Sequence, residues 1–263
     1  IEVKEHSLSD EELFAFRGQV MKYLELPEAE LIDHRLIDEV LENYQLSVTS
    51  LNKYLQCPIA FYFENIIRVP SARNAYAGFG LAMHYAMEQF FLDKKKNHTE
   101  GFGSANLLVD FFKKGMRIFR SHFTDQEYEN NLHHGEKILT RYHADQLNEW
   151  FKAGQFELEH RIKNVEYRGV PLKGMIDKVE IFEGQVNVID YKTGNVERAR
   201  TKMKPPRDND DQGGDYWRQI QFYKLLVDND PSSSWNVRTG EIRMLEPDRQ
   251  DRFRSFKISV EPR

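Results

Sequence analysis

A single cysteine, Cys57, in 263 residues excludes any internal disulfide and suits a reducing compartment, so a cytoplasmic protein is expected. Long apolar runs are missing as well. The longest stretch without Asp, Glu, Lys or Arg is the 14 residues from Asn74 to Met87. A membrane-spanning helix needs roughly 20 mostly apolar residues, so no membrane partner is expected. The opening residues Ile1-Glu2-Val3-Lys4-Glu5-His6 carry no apolar stretch resembling a secretory signal. Ile1 stands where a Met would start a chain, which predicts an excised piece of something longer. Positive charge is not in excess either: 37 Lys and Arg against 42 Asp and Glu leave −5, so only local patches could attract nucleic acid. No repeat of fixed period occurs.

What is present is an ordinary globular composition, 40% hydrophobic and 30% charged, enough for one large domain or two small ones. Residues 1–45 are strongly charged, with helical spacing in Leu13, Phe16, Val20, Tyr23 and Leu24, and read as an entry helix or linker. The texture changes at Leu46, and residues 46–263 are expected to form the main domain. Ser47 to Leu55 reads as a capped helix, and Pro58 opens an aromatic-rich one. Helical spacing continues over Gly80 to Phe91 and, less regularly, Leu107 to Trp150, around a polar loop from Lys94 to Gly103. From Phe156 the period switches to two. Phe156 to Val165, Val170 to Phe182 and Gln185 to Tyr191 predict three strands joined by tight turns at Arg168-Gly169 and Glu183-Gly184. A Pro/Asp/Gly-rich loop (Asn195 to Gly214), a helix (Asp215 to Val227) and two further strands (Val237 to Leu245, Arg252 to Val260) complete the pattern.

The second of those turns makes a testable statement about chemistry. With Glu183-Gly184 as a two-residue turn, Phe182 pairs with Gln185, Val179 with Val188, and Asp177 falls directly opposite Asp190. Two like charges so placed destabilise a hairpin unless something compensates, and a divalent cation would. Alternation puts Asp177 on one stripe with Met175, Val179 and Ile181, and Asp190 with Val186, Val188 and Lys192. Asp, Asp and Lys around one spot suit metal-dependent phosphodiester hydrolysis, in which oxygen ligands hold the cation and an ammonium orients water or leaving oxygen. The bland alternative is a buried Asp–Lys salt bridge with the second Asp solvated at a strand end.

Gly174-Met175-Ile176-Asp177, twelve residues, then Asp190-Tyr191-Lys192-Thr193-Gly194 resembles the core of the PD-(D/E)XK nuclease superfamily, in particular its RecB-like branch. Ser47 to Phe63 with Cys57-Pro58, Gly80-Leu81-Ala82-Met83-His84, and Gln219-Ile220-Gln221-Phe222-Tyr223 resemble further pieces of that branch, so the likeness spans roughly residues 46 to 246. The resemblance implies an α/β fold: a central mixed β-sheet of a restriction-endonuclease-like core flanked by helices, with a helical N-terminal half. It implies Mg2+ or Mn2+ bound by His84, Asp177, Asp190 and the backbone carbonyl of Tyr191, with Lys192 as the catalytic lysine. Gln219 and Tyr223 match the late motif, four apart on one helical face, and Glu159 matches an acid of the first core strand. DNA is the implied substrate, and an ATP-dependent helicase domain or subunit the implied partner. No Walker phosphate loop occurs here, so such a motor would lie elsewhere. The iron–sulfur cluster of some relatives is not expected, because Cys57 has no companion thiolates; it reads as a small packed residue beside a helix start.

Other readings stay open. A catalytically silent module that grips DNA or a helicase would carry the same fold, and a site-specific endonuclease the same chemistry. His84 without the resemblance is a structural histidine, and Glu88 is its partner or a surface acid. Arg198, Arg200, Lys202, Lys204 and Arg207 could hold DNA phosphates or form a solvated charged loop. Tyr216 and Trp217 could stack bases or belong to the core.

Overall fold

A computed structural model describes Ser9 and residues 34–70, 72–97, 101–152, 154–208 and 210–260. The chain divides into two compact units, Ile1–Tyr44 and Gln45–Arg263. In the first, helix α1 (His34–Leu41) is described; the helical spacing from Leu13 to Leu24 lies outside the described residues.

In the second unit, Ser47 caps α2 (Val48–Gln56) in a capping box with Ser50, satisfying N–H groups that the first helical turn leaves without partners. Cys57 then caps α3 (Pro58–Phe61), Pro58 filling the first position where no N–H is needed, and a π turn, Tyr62–Ile66, continues it. Cys57 is exposed, which corrects its reading as a packed residue: its Sγ accepts from the Ala60 N–H at 3.5 Å instead of filling a core. Three longer helices follow, α4 (Ala75–Asn97), α5 (Ala105–Ile118) and α6 (Asp125–Lys152). α4 runs on to Asn97 through Lys94, Lys95 and Lys96, where a loop was expected; cations suit the negative end of a helix dipole.

Five strands form one mixed sheet in the order β1 (Gln155–Tyr167), β2 (Val170–Phe182), β3 (Gln185–Lys192), β4 (Asn236–Met244), β5 (Ser255–Ser259). β3 and β4 run parallel, and the other neighbours antiparallel. Both hairpins turn as expected, with positive φ at Arg168 and Gly169 (52° and 81°) and at Glu183 and Gly184 (50° and 82°), the geometry that matches strand twist. Between β3 and β4 lie α7 (Val196–Lys202) and α8 (Asp215–Asp228). α7 stands where a loop was expected: Asn195 caps it, and Val196 and Ala199 give it a buried face.

The sheet separates two apolar clusters. One joins it to α2, α7 and α8 through Val48, Val196, Ile220 and Leu226; the other joins it to α4, α5 and α6 through Met83, Phe91, Phe112 and Trp150. β3, central and covered on both faces, is buried from Val186 to Tyr191, as a strand beside a parallel partner usually is. Among the described residues no helix is long and apolar enough to cross a membrane.

Candidate functional site

The β2–β3 register is the one the turn dictates: Phe182↔Gln185, Ile181↔Val186, Val179↔Val188 and Lys178↔Ile189. One step further along, Asp177 and Asp190 come opposite each other, and there the ladder parts. The Tyr191 N–H donates to Asp177 Oδ2 at 2.8 Å instead of joining the sheet.

The cause lies one strand away. Glu159 sits between the pairs Leu158↔Lys178 and His160↔Ile176, opposite Asp177, with φ of 46°, a left-handed backbone that a non-glycine residue in a strand adopts only under constraint. Around it the strands exchange faces. Leu158 and Lys178 face the α4–α6 layer, with the Lys178 ammonium 4.1 Å from the Phe91 ring centroid, whereas Ile162 and Ile176 join the α8 layer. Residues two apart should share a face; across Asp177 they do not. Simple alternation therefore fails for Met175, which is exposed, while Val179 is buried as expected.

Helix α4 brings in His84. Tyr76, Gly80, His84 and Glu88 are spaced by four along it, on one face. His84 Nδ1 lies 3.3 Å from Asp177 Oδ2. Burial alone would lower the histidine's pKa, but the charges of Asp177 and Asp190 outweigh it and raise it. For Asp177, burial is outweighed by His84 and the Tyr191 N–H, and its pKa is held below the usual carboxylate range.

Helix α8 brings in Gln219 and Tyr223, one turn apart. Gln219 Nε2 donates to Asp190 Oδ1 at 2.6 Å, the Tyr223 hydroxyl donates to the same oxygen at 2.8 Å, and the two side chains are 2.7 Å apart. The helix reaches this position because the sheet beneath it carries Gly174 and Gly240. A Cβ at Gly174 would lie 2.3 Å from Leu226, and one at Gly240 would lie 2.1 Å from Ile220.

The other oxygen of Asp190 is treated differently. Oδ2 is buried and accepts no hydrogen bond of good direction; it faces the Lys192 ammonium at 2.7 Å as an ion pair. Burial and the negative charge of Asp177 push the Asp190 pKa up against the pull of Lys192, while Asp190 and Asp177 outweigh burial to raise that of Lys192. Glu159 joins this group: burial first, then Asp177 and Glu88, push its carboxyl up to about 7. Glu88 is half-buried on the same helix face, and its charge contributes to raising the Glu159 pKa.

His84, Asp177, Asp190, Lys192, Gln219 and Tyr223 thus meet at one end of β3, with Glu159 opposite Asp177 and Tyr191 contributing its N–H while its ring is buried in the α4–α6 layer. Among the described residues no group of three or more His, Cys, Asp or Glu side chains is placed, as the side chains stand, to hold a metal ion. The donor set fits a hard divalent cation by its chemistry: two ionisable carboxylates, a third poised near neutrality, an imidazole, and one buried oxygen short of hydrogen bonds.

Two neighbours, Tyr76 and Glu246, escaped the sequence reading, and a third, Tyr216, was legible in it. The Tyr76 hydroxyl donates to the Thr193 carbonyl at 3.2 Å. Glu246 Oε1 accepts from the Gly194 N–H at 2.5 Å, and its Oε2 lies 3.6 Å from His134 Nε2. The Tyr216 ring stands between two ammoniums, Lys192 at 5.5 Å and Lys202 at 5.0 Å from its centroid. The eight-residue spacing of Tyr76 and His84, two steps of four along one helix face, was the available signal for the first; nothing in the sequence linked Glu246 to Gly194.

A family model described as the PD-(D/E)XK nuclease superfamily matches residues 45–255. A search of curated proteins finds no match. Among solved structures, the crystal structure of SSO0001 is 15% identical with a TM-score of 0.26, over 82% of this chain and 77% of that one. The crystal structure of protein VC1899 from Vibrio cholerae is 14% identical with a TM-score of 0.25, over 68% of this chain and 45% of that one.

Proposed function

This chain belongs to the PD-(D/E)XK nuclease superfamily, whose members are generally metal-dependent nucleases, and from that membership we propose that it is a DNA exonuclease of the RecB-like branch. Its place would be in DNA repair or recombination, beside an ATP-dependent helicase domain, in the cytoplasm, with residues 1–45 as the entry segment and residues 46–263 as the nuclease. The observation that carries the reading is Asp190: a buried carboxylate on the central strand, held through one oxygen by Gln219 and Tyr223, with the other turned to Lys192.

His84, Asp177, Asp190 and the Tyr191 carbonyl are the groups that would hold Mg2+ or Mn2+. A divalent ion in such a site supplies charge neutralisation at the phosphate and acidifies water. The chain's own groups do the rest. Gln219 and Tyr223 fix the Asp190 carboxylate so that its second oxygen does not rotate away. Lys192, kept charged by the two aspartates, stabilises negative charge developing on the phosphoryl oxygens and orients the attacking water. Glu159, with a carboxyl near neutrality, can hold or release a proton at working pH.

End-labelled linear DNA and closed circular DNA, each with Mg2+, Mn2+ or chelator, test the proposal. Loss of the end label with circles left intact is the expected result; discrete fragments from circles would make it an endonuclease. The silent-module reading draws on one observation, that each aspartate already has a cationic neighbour, His84 or Lys192. Binding of DNA without cleavage under either metal would establish it in place of the enzyme.

A further inference from the structure

We propose that Tyr76 is a stacking platform for an unpaired nucleobase beside the reacting phosphate, so that the site selects single-stranded over paired DNA. The inference rests on the nuclease reading, which puts a phosphodiester next to Lys192. Tyr76 is 66% exposed, more than any other large apolar or aromatic side chain among the described residues, yet its hydroxyl is tied to the Thr193 carbonyl, one residue from Lys192. A largely exposed ring anchored at its tip, its edge resting beside Gly194, needs little further ordering to receive a planar partner.

The surroundings favour a nucleic-acid strand. A second ring, Tyr216, has its centroid 5.5 Å from the Lys192 ammonium. Beyond it, α7 and the segment that follows expose Arg198, Arg200, Lys202, Lys204 and Arg207. Among the described residues only Lys202 of these five has an acidic partner in ion-pair range, Asp215 at 3.6 Å. A groove of about 390 Å³ lies along Lys202, Lys204 and Arg207, with Asp210 and Asp215 also on its wall. Unpaired cations leading to a pair of rings provide both requirements of single-strand binding, phosphate neutralisation and base stacking. A base inside a duplex is already stacked on its neighbours and cannot reach Tyr76; an unpaired one can.

The test compares binding of a fluorescein-labelled oligothymidylate with that of a blunt hairpin duplex, by anisotropy in chelator, for the wild-type chain and Tyr76→Ala, Tyr76→Phe and Tyr76→Trp. Tyr76→Ala should weaken oligothymidylate binding about tenfold, within the contribution of one base–aromatic stack. Tyr76→Phe and Tyr76→Trp should stay within about twofold of wild type, since stacking needs the ring and not the hydroxyl. Hairpin affinity should not change in any variant. Tyr76→Ala binding oligothymidylate like wild type would overturn the proposal. So would Tyr76→Phe losing as much as Tyr76→Ala, which would make the Thr193 bond a purely structural tie. Because binding is read in chelator, the two readings fail separately. Absence of cleavage under Mg2+ and Mn2+ retires the nuclease, while an unchanged Tyr76→Ala in an active enzyme retires only the platform.

Discussion

Two buried ionic clusters lie back to back on the same strands. At the candidate site, Asp177 and Asp190 meet His84 and Lys192; on the opposite face of the sheet, Lys178 and Arg243 meet Glu180 and Glu241. The second cluster is balanced in charge and its acids are fully hydrogen-bonded, although Arg243 Nη1 is a buried donor without a hydrogen bond, 3.5 Å from Glu180 Oε1. Glu180 accepts from Lys178 at 2.9 Å and Asn187 at 3.2 Å; Glu241 accepts from Asn187 at 3.2 Å, Arg243 at 3.0 Å and Ser255. All four carboxylate oxygens are satisfied, and although burial alone would raise them, Lys178 and Arg243 hold the acids below their usual pKa range. The first cluster carries a third acid, Glu159, an aspartate whose pKa is raised, and one buried oxygen without a hydrogen bond. A network that serves only the fold has reason to give every acid oxygen a directed hydrogen bond, whereas Asp190 Oδ2 is left with the Lys192 ion pair alone. A network that must receive a phosphate or a cation cannot do so for every oxygen.

The largest effect that would sharpen this contrast is on stability. Lys178→Ala should lower the unfolding free energy in urea by about 3–5 kcal/mol, because it leaves Glu180 buried without its nearest cation. A loss under about 1 kcal/mol would mean that the second cluster is not structural. Next come Asp190→Ala and Lys192→Ala, each expected to slow DNA cleavage at least about 100-fold in single-turnover assays, with thermal melting little changed. Melting losses in both as large as that of Lys178→Ala would erase the distinction between the faces. Gln219→Ala should slow cleavage about tenfold, the scale of one hydrogen bond to a charged oxygen; a rate equal to wild type would show that Tyr223 alone holds Asp190. The smallest signal is a pH slope. Burial pushes the Lys178 pKa down to about 8 from 10.5, so between those values the unfolded chain binds the proton and the folded one does not. Stability should therefore rise with pH across that window, by at most about 1.4 kcal/mol per pH unit. Subtracting the same curve for Lys178→Met isolates it from the tyrosines; parallel curves would show that Lys178 carries its charge as easily folded as unfolded.

The sequence disclosed the first cluster far better than the second, for physical reasons. A two-residue turn with glycine fixes the register of everything it joins, so the Asp177–Asp190 juxtaposition follows from counting. The four-residue spacing of Gln219 and Tyr223 likewise survives into α8. Glu159 was legible as an acid but not as the left-handed residue at which two strands trade faces, because period-two reading assumes no bulge. For the same reason Met175 was put on an apolar stripe it does not join. The second cluster was invisible: Lys178, Glu180, Glu241 and Arg243 are scattered over two strands, and alternating charges in a strand read as its solvent side. α7 was hidden by its setting, a short capped turn inside a stretch rich in breakers.

The glycines under α8 deserve a last thought as spacers. Neither Gly174 nor Gly240 touches Asp190, yet the room each leaves decides how near Leu226 and Ile220 can settle, and with them the whole rod that carries Gln219 and Tyr223. Adding one methyl at Gly240 would meet the branched Ile220 close to its Cβ and press the rod outward, drawing the two donors off the carboxylate together, whereas at Gly174 it would meet the rotatable end of Leu226. The reach of this machinery is thus gauged from below, by hydrogen atoms where any other residue would have carbon.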